Sequence, residues 1–445
     1  MGTSTPHHGR DGVTVAPNVA GPKGRWLVGN LYDYEQDPIG FLERNQRRYG
    51  DVFAMSSRST VLNDPDLVSE VVTRTNRDYS TDLPRLSSRH NQGRVMGTDG
   101  VDEWMAARTH GWRGMTTAVM RAHGERMLVV LDRLLATMGG RPVGEVLRHY
   151  GADLAINFCL GPSATSVVDA VAERTARGDL ITGSSLTFPT WLPLPRVRAM
   201  VRAGHRLNDE LLGHVRHRRA SPSAEPTDLL DLLLAETADP LDDIQVLAVI
   251  KSNLLAGYSA PGIVLAWIVY LLATQPEAAA AVRAEAAALR ADTGSVLDDR
   301  RLRHTEAFVR ETLRLYPPIW LMARKVLHET TLGPLTVHPG HMLVFSPYLL
   351  QRDPSRWPEP TMFRTDRWLD GTPLPHRFSY VPFGGGPRVC LGIRLAMYQL
   401  VVSTAHLADR YRIEVTGEVR PAPRPLLHPG GLTARLTAGV GTPVD

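Results

Sequence analysis

Phe383-Gly-Gly-Gly-Pro-Arg-Val-Cys390-Leu-Gly392 is the stretch that decides the fold. It sets a cysteine after a glycine-rich loop and just ahead of an apolar helical run that begins Leu391-Gly392-Ile393. Glycines without Cβ atoms let backbone lie flat against a bulky partner, so Gly384 and its neighbours read as a cradle. A cysteine at the start of a helix meets orphan N–H groups and the positive end of the dipole, both of which favour a thiolate. Arg388 is a permanently charged fork shaped for a carboxylate, and Phe383 is placed to shield the sulfur from water. A buried structural cysteine after an ordinary Gly-Pro loop needs none of the spacing Phe-x-x-Gly-x-Arg-x-Cys-x-Gly.

The stretch resembles the cysteine-ligand loop of the cytochrome P450 family. That resemblance makes Cys390 the axial thiolate of a heme b iron, a ligand that pushes electron density toward O–O cleavage. Other elements of the family's framework stand upstream in order. Glu311-Thr-Leu-Arg314 matches the family's Glu-x-x-Arg, and residues at i and i+3 share a helix face. Trp357-Pro-Glu-Pro-Thr-Met-Phe363-Arg-Thr-Asp366-Arg367-Trp368 is similar to the loop that supplies the third member of that structural triad, Arg367. Arg324, after Tyr316-Pro-Pro-Ile-Trp-Leu-Met-Ala, and Arg108 of Trp104-Met-Ala-Ala-Arg108 fall where the family binds heme propionates. Charge-assisted arginine–carboxylate contacts of this kind hold a cofactor in register. With Phe383, Gly384, Arg388 and Gly392, these residues form the expected cofactor site. The resemblance spans about residues 20 to 435.

Composition is ordinary for a globular protein: 43% hydrophobic and 22% charged over 445 residues, enough for a large core. No linker or repeat divides the chain, so the expectation is one catalytic domain over 1–445, with 1–20 a flexible N-terminus. The Pro/Ser stretch 220–227 reads as a loop between two helices. Two cysteines, Cys159 and Cys390, argue against a disulfide framework, and Cys159 lies in 156–160, which reads as a buried helix. A net charge of +4 is too mild and too dispersed for nucleic acid. Arg388 and Arg394 suit a basic face for an acidic electron donor. By the resemblance, separate ferredoxin and ferredoxin reductase would supply electrons if they are needed.

Residues 254–273 form an apolar run about as long as a membrane span, but Ser252, Asn253, Ser259, Pro261 and Gly262 lie in or beside it. A buried core helix is the expected outcome. The N-terminal residues lack an apolar signal core, so the expectation is a cytoplasmic protein without a membrane anchor. Helices are expected at 66–74, 102–138, 228–236, 242–274, 276–290, 304–316 and 391–411. Short strands are expected at 52–55, 61–62, 341–345 and 412–415. The fold class is therefore predominantly α with a small β lobe. The resemblance makes it the cytochrome P450 fold, with heme between a long distal helix and the cysteine loop.

The distal helix is where the family's pattern fails. The family carries Ala/Gly-Gly-x-Asp/Glu-Thr, an acid and an alcohol that feed protons to bound dioxygen. Aligned on Ala256-Gly257, this chain has Tyr258, then Ser259 at the acid position, Ala260 at the alcohol position, and Pro261. A mid-helix proline has no N–H for the carbonyl four residues back, here Gly257, so the helix should open there. Three readings stay open. One is a monooxygenase that draws protons from substrate, water, Ser259 or Tyr258. Another is heme-thiolate chemistry without dioxygen cleavage, such as transfer from a pre-activated substrate, peroxide use, rearrangement or dehydration. The third is a non-catalytic heme binder. By resemblance, a lipophilic small molecule from secondary metabolism would be bound by Leu83, Trp191, Asn253, Leu254, Tyr258, Trp320, Leu321 and Met322, an apolar set suited to such ligands.

Overall fold

The computed structural model describes residues 19–25, 29–81, 109, 111, 117–139, 141–162, 164–182, 194–223, 225–235, 240–423 and 425–439. The helices are α1 (Leu31–Gln36), α2 (Pro38–Tyr49), α3 (Pro65–Thr73), α4 (Thr117–Ala136), α5 (Val143–Leu160), α6 (Thr165–Thr182) and α7 (Pro195–Ala220). Then come α8 (Leu229–Leu234), α9 (Asp243–Gly257), α10 (Ala260–Thr274), α11 (Pro276–Thr293), α12 (Arg303–Leu315), α13 (Pro347–Leu350) and α14 (Ile393–Arg410). The strands are β1 (Val52–Ser56), β2 (Ser59–Leu62), β3 (Tyr79–Ser80), β4 (Met322–Val326), β5 (Thr330–Leu332), β6 (Leu335–Val337), β7 (Met342–Phe345), β8 (Tyr411–Thr416), β9 (Arg420–Ala422), β10 (His428–Gly430) and β11 (Thr433–Ala438).

One sheet runs in the order β1-β2-β7-β4-β3. In it β2 and β7 are parallel and the other pairs antiparallel. Its pairing sets Arg324 opposite Leu343 and Met322 opposite Phe345. Two smaller cores pack on this sheet, while the largest joins α4, α5, α9, α10, α12 and α14. The expected mixture of a large helical part and a small β part is what the chain forms.

Local chemistry sets several boundaries. Asp242 caps α9 through the Ile244 and Gln245 N–H groups, and Gln245 returns a bond to the Asp242 N–H, a complete capping box. Asp64 caps α3, with Pro65 in its first turn. The expected helix over 242–274 is two helices: α9 ends at Gly257, Tyr258 and Ser259 form a turn, and α10 starts at Ala260 with Pro261 in its first turn. The backbone ladder resumes with Ile263 N–H to the Ser259 carbonyl at 3.2 Å. Eleven of the fifteen residues of α10 are buried, which makes the apolar run a core helix.

Helices α1, α2, α6 and α13 lie outside the expected set. The stretch 156–160, which reads as a buried helix, is the last part of the longer α5, and the 220–227 loop joins α7 to α8. The expected helix 391–411 starts later, at Ile393, and ends at Arg410, since Tyr411 opens β8 against β11.

Candidate cofactor site

The cysteine loop rests on the C-terminal end of α3. Gly386 has φ +64°, and a Cβ there would lie 2.0 Å from the Val72 carbonyl oxygen. Gly384 has φ +70°. Both positions need glycine, one for contact and both for conformation. The loop closes through Cys390 N–H to the Phe383 carbonyl at 2.9 Å, Val389 N–H to Gly386 at 3.1 Å and Gly384 N–H to Val381 at 3.0 Å. Gly392 is the N-cap of α14, so Cys390 stands two residues before the cap and not in the first turn. Phe383 is packed against the helical core.

Arg324 and Arg388 converge. Arg324 is 7% exposed and donates through Nε to Thr75 Oγ1 at 3.1 Å and through a terminal nitrogen to the Ala323 carbonyl at 2.9 Å. Arg388 donates through Nε to Asn76 Oδ1 at 2.8 Å. Asn76 adopts φ +76°, a left-handed conformation that asparagine tolerates better than most residues. The adjacent Thr75 and Asn76 thus aim both guanidinium groups. Burial, and then the charge of Arg388, lower the pKa of Arg324 to about 10. Among the described residues Arg324 has no carboxylate partner. A pair of converging cations beside a glycine cradle and a cysteine fits a flat cofactor that brings its own carboxylates and takes a thiolate.

Glu311, Arg314 and Arg367 come together. Glu311 and Arg314 are fully buried and share a bidentate pair, with both contacts at 2.8 Å. Arg367 Nε reaches Glu311 Oε1 at 3.3 Å. Sequence reading missed two further donors, Arg364 N–H at 2.9 Å and Trp368 Nε1 at 3.0 Å. Arg314 also donates to the carbonyls of Gln351, Pro360 and Met362. A charge taken out of water demands this degree of satisfaction. Gln351, also missed, joins the triad to the cysteine loop. Its Nε2 donates to the Leu313 and Arg314 carbonyls, and its Oε1 accepts the Val381 N–H at 2.8 Å.

The distal turn is pressed from behind by α5. A Cβ on Gly262 would lie 2.1 Å from the Leu147 carbonyl oxygen, and one on Gly151 would lie 3.0 Å from the Tyr258 carbonyl and the Gly262 nitrogen. Pro261 cannot donate to the Gly257 carbonyl. The Tyr258 phenol is half-buried, and burial raises its pKa, while Arg148, Asp179 and Asp153 act on it from α5 and α6. Ser259 makes no side-chain cap bond to α10.

Gly111 brings Asn253 and Leu391 to one point: a Cβ there would lie 2.7 Å from Leu391 Cδ2 and 3.6 Å from Asn253 Nδ2. Asn253 therefore reaches the neighbourhood of Cys390. Leu254 packs inside the helical core. Trp320 is buried in the sheet-side core, its indole N–H given to the Pro423 carbonyl, and Leu321 packs against that same core. Met322 Cε lies 3.7 Å from the Cβ position of Gly384. Leu83, Trp104, Arg108 and Trp191 lie outside the described residues.

The family model described as "Cytochrome P450" matches residues 19–436. Cyclooctatin synthase of Streptomyces melanosporofaciens is 34% identical over 254 residues, 56% of this chain and 54% of that one. Cyclooctat-9-en-7-ol 5-monooxygenase of the same organism is 36% identical over 238 residues, 52% and 50% of the two chains. The chain thus spans about half the length of these curated relatives. Retinoic acid bound cyanobacterial CYP120A1 superposes with a TM-score of 0.79 at 20% identity, over 96% of this chain and all of that one, a likeness of fold.

Proposed function

From the premise that this chain belongs to the cytochrome P450 family of heme-binding oxidoreductases, we propose that it oxidises a lipophilic small molecule of secondary metabolism. It would do so as one catalytic domain, with heme b held by Cys390. The observation that carries this reading is the junction of the cysteine loop with the Arg324–Arg388 pair. The two cyclooctatin enzymes support the lipophilic, secondary-metabolic side.

Heme b would supply iron-centred oxidation chemistry, tuned by a thiolate ligand. Cys390 provides that thiolate, with Phe383 limiting water at the sulfur. Arg324 and Arg388, aimed by Thr75 and Asn76, would hold the cofactor's carboxylates. On the distal side the chain offers few proton carriers. Ala260 has no hydroxyl, so the substrate, water, the Ser259 hydroxyl or the Tyr258 phenol would have to hold the proton at the open turn. Asn253 and Tyr258 give the pocket its polar points. Electrons, where the reaction needs them, would come from a separate ferredoxin and its reductase.

The missing acid and alcohol at Ser259 and Ala260 favour a second reading, in which the same site works without cleaving dioxygen. The purified protein, given a surrogate ferredoxin system and an extract rich in its natural substrate, separates the two. Product carrying label from isotopic dioxygen supports the monooxygenase. Product formed without air or without reductase supports the second reading. The double change Ser259→Glu with Ala260→Thr lowers peroxide leakage per electron pair in a monooxygenase and gives no gain otherwise.

A further inference from the structure

Helix α9 carries a buried lysine that the cofactor site does not use. Lys251 is 4% exposed, and its Nζ donates to Asn208 Oδ1 of α7 at 2.8 Å. An ammonium has three N–H donors and no acceptor. One neutral amide oxygen is poor compensation for a charge taken out of water.

A second cation packs on the same helix, α7, against Gly204, one helical turn from Asn208. Arg174 of α6 lies across two glycines: a Cβ on Gly178 would be 2.8 Å from one of its terminal nitrogens, and one on Gly204 would be 3.8 Å from its Nε. Gly204 and Asn208 are four residues apart, so they share a face of α7. Among the described residues Arg174 makes no hydrogen bond or ion pair. The acid that acts on it, Asp179, does so through space only. Arg174 in turn acts on Lys251, and both groups are pushed below their ordinary pKa, first by burial. Two cations set against one face of α7 from two other helices, one of them given room by two glycines, are costly unless an anion joins them.

We propose that Arg174 and Lys251 form a binding site for an oxyanion, a carboxylate or a phosphate, between α6, α7 and α9. The guanidinium supplies a planar fork and the ammonium a point charge, complementary donors for one anionic group. Two sources share this chemistry: the acid group of a lipophilic substrate, or a free inorganic anion. Only the first rests on the reading given under Proposed function.

The experiment uses the full-length heme-loaded protein and its variants Lys251→Met and Arg174→Gln. Melting is followed against acetate and inorganic phosphate at fixed ionic strength, with chloride as the balance. The heme absorption band is titrated with dodecanoate and with dodecanol. The expected result is a saturable rise in Tm of the wild type with either anion, lost in both variants. Lys251→Met should also melt higher than wild type in anion-poor buffer.

A substrate source requires dodecanoate to act at a concentration on the order of tenfold below dodecanol, the worth of a charged hydrogen bond, with that preference lost in the variants. Equal titrations beside a phosphate-dependent Tm assign the site to a free anion. A Tm indifferent to both anions, with no dodecanoate preference, overturns the proposal and leaves two structural cations. If neither amphiphile moves the heme band, the lipophilic-substrate reading is weakened, while the Tm response still decides the anion site.

Discussion

The side-chain oxygen of Gln351 accepts the Val381 N–H at 2.8 Å, while the nitrogen of the same amide holds the Leu313 and Arg314 carbonyls. One buried glutamine thus ties the last turn of α12 to the strand of chain that leads into the cysteine loop. The loop's position follows from that tie as much as from its own glycines.

Replacing Gln351 by Leu leaves the Val381 N–H and two carbonyls buried without partners, at about 1–3 kcal/mol for the first unmet group. The variant should unfold at lower urea and keep less heme per chain than wild type. Wild-type heme content with unchanged stability would refute the tie.

Glu311 receives donors from Arg314, Arg364, Arg367 and Trp368. Glu311→Gln removes the only negative charge facing a fully buried Arg314 among the described contacts. Breaking a buried pair on one side costs roughly 3–5 kcal/mol, and chemical denaturation should show a loss of that order.

Gly262→Ala forces a methyl against the Leu147 carbonyl, where 2.1 Å is available. Overpacking of this kind costs roughly 1–3 kcal/mol, and α5 and α10 must part. Gly257→Ala is the control, since its Cβ meets only Ala155 Cβ at 3.3 Å. Thermal melting should separate them clearly; equal melting points would mean that the crossing is not held by Gly262.

His123 is 1% exposed and hydrogen-bonded to Gln399. Burial first, then the charge of Arg126, lower its pKa from 6.5 to about 3. The unfolded chain takes a proton below pH 6.5 while the folded chain refuses it until about pH 3. Stability is therefore lost as pH falls through this window, by about 1.4 kcal/mol per pH unit at most. Against His123→Asn, urea titrations from pH 7 to 4 should show a steeper fall for the wild type. Parallel curves would sink the assignment.

Much of the site was legible because its chemistry is local. Gly384, Gly386, Arg388 and Cys390 lie within seven residues, and Glu311 and Arg314 within one helical turn, so each motif was short enough to carry the family resemblance that assigned them. The break at Tyr258–Ser259 followed from proline's missing N–H, a property of one residue. The order of motifs along the chain was enough for the family and the fold class.

The tertiary structure decided what depends on distant partners. Thr75 and Asn76 aim Arg324 and Arg388 from 249 and 312 residues away, and nothing local marks them for it. Gly262 beside Pro261 reads as a helix breaker until α5 lies against it, when the same missing Cβ becomes a contact. Nothing in the sequence marks Lys251, and only the packing of α7 brings Asn208 to it, with Arg174 against Gly204 on the same helix. A side chain's type is written in the sequence, but its worth in free energy depends on what the fold sets within a few ångströms and on the water the fold removes.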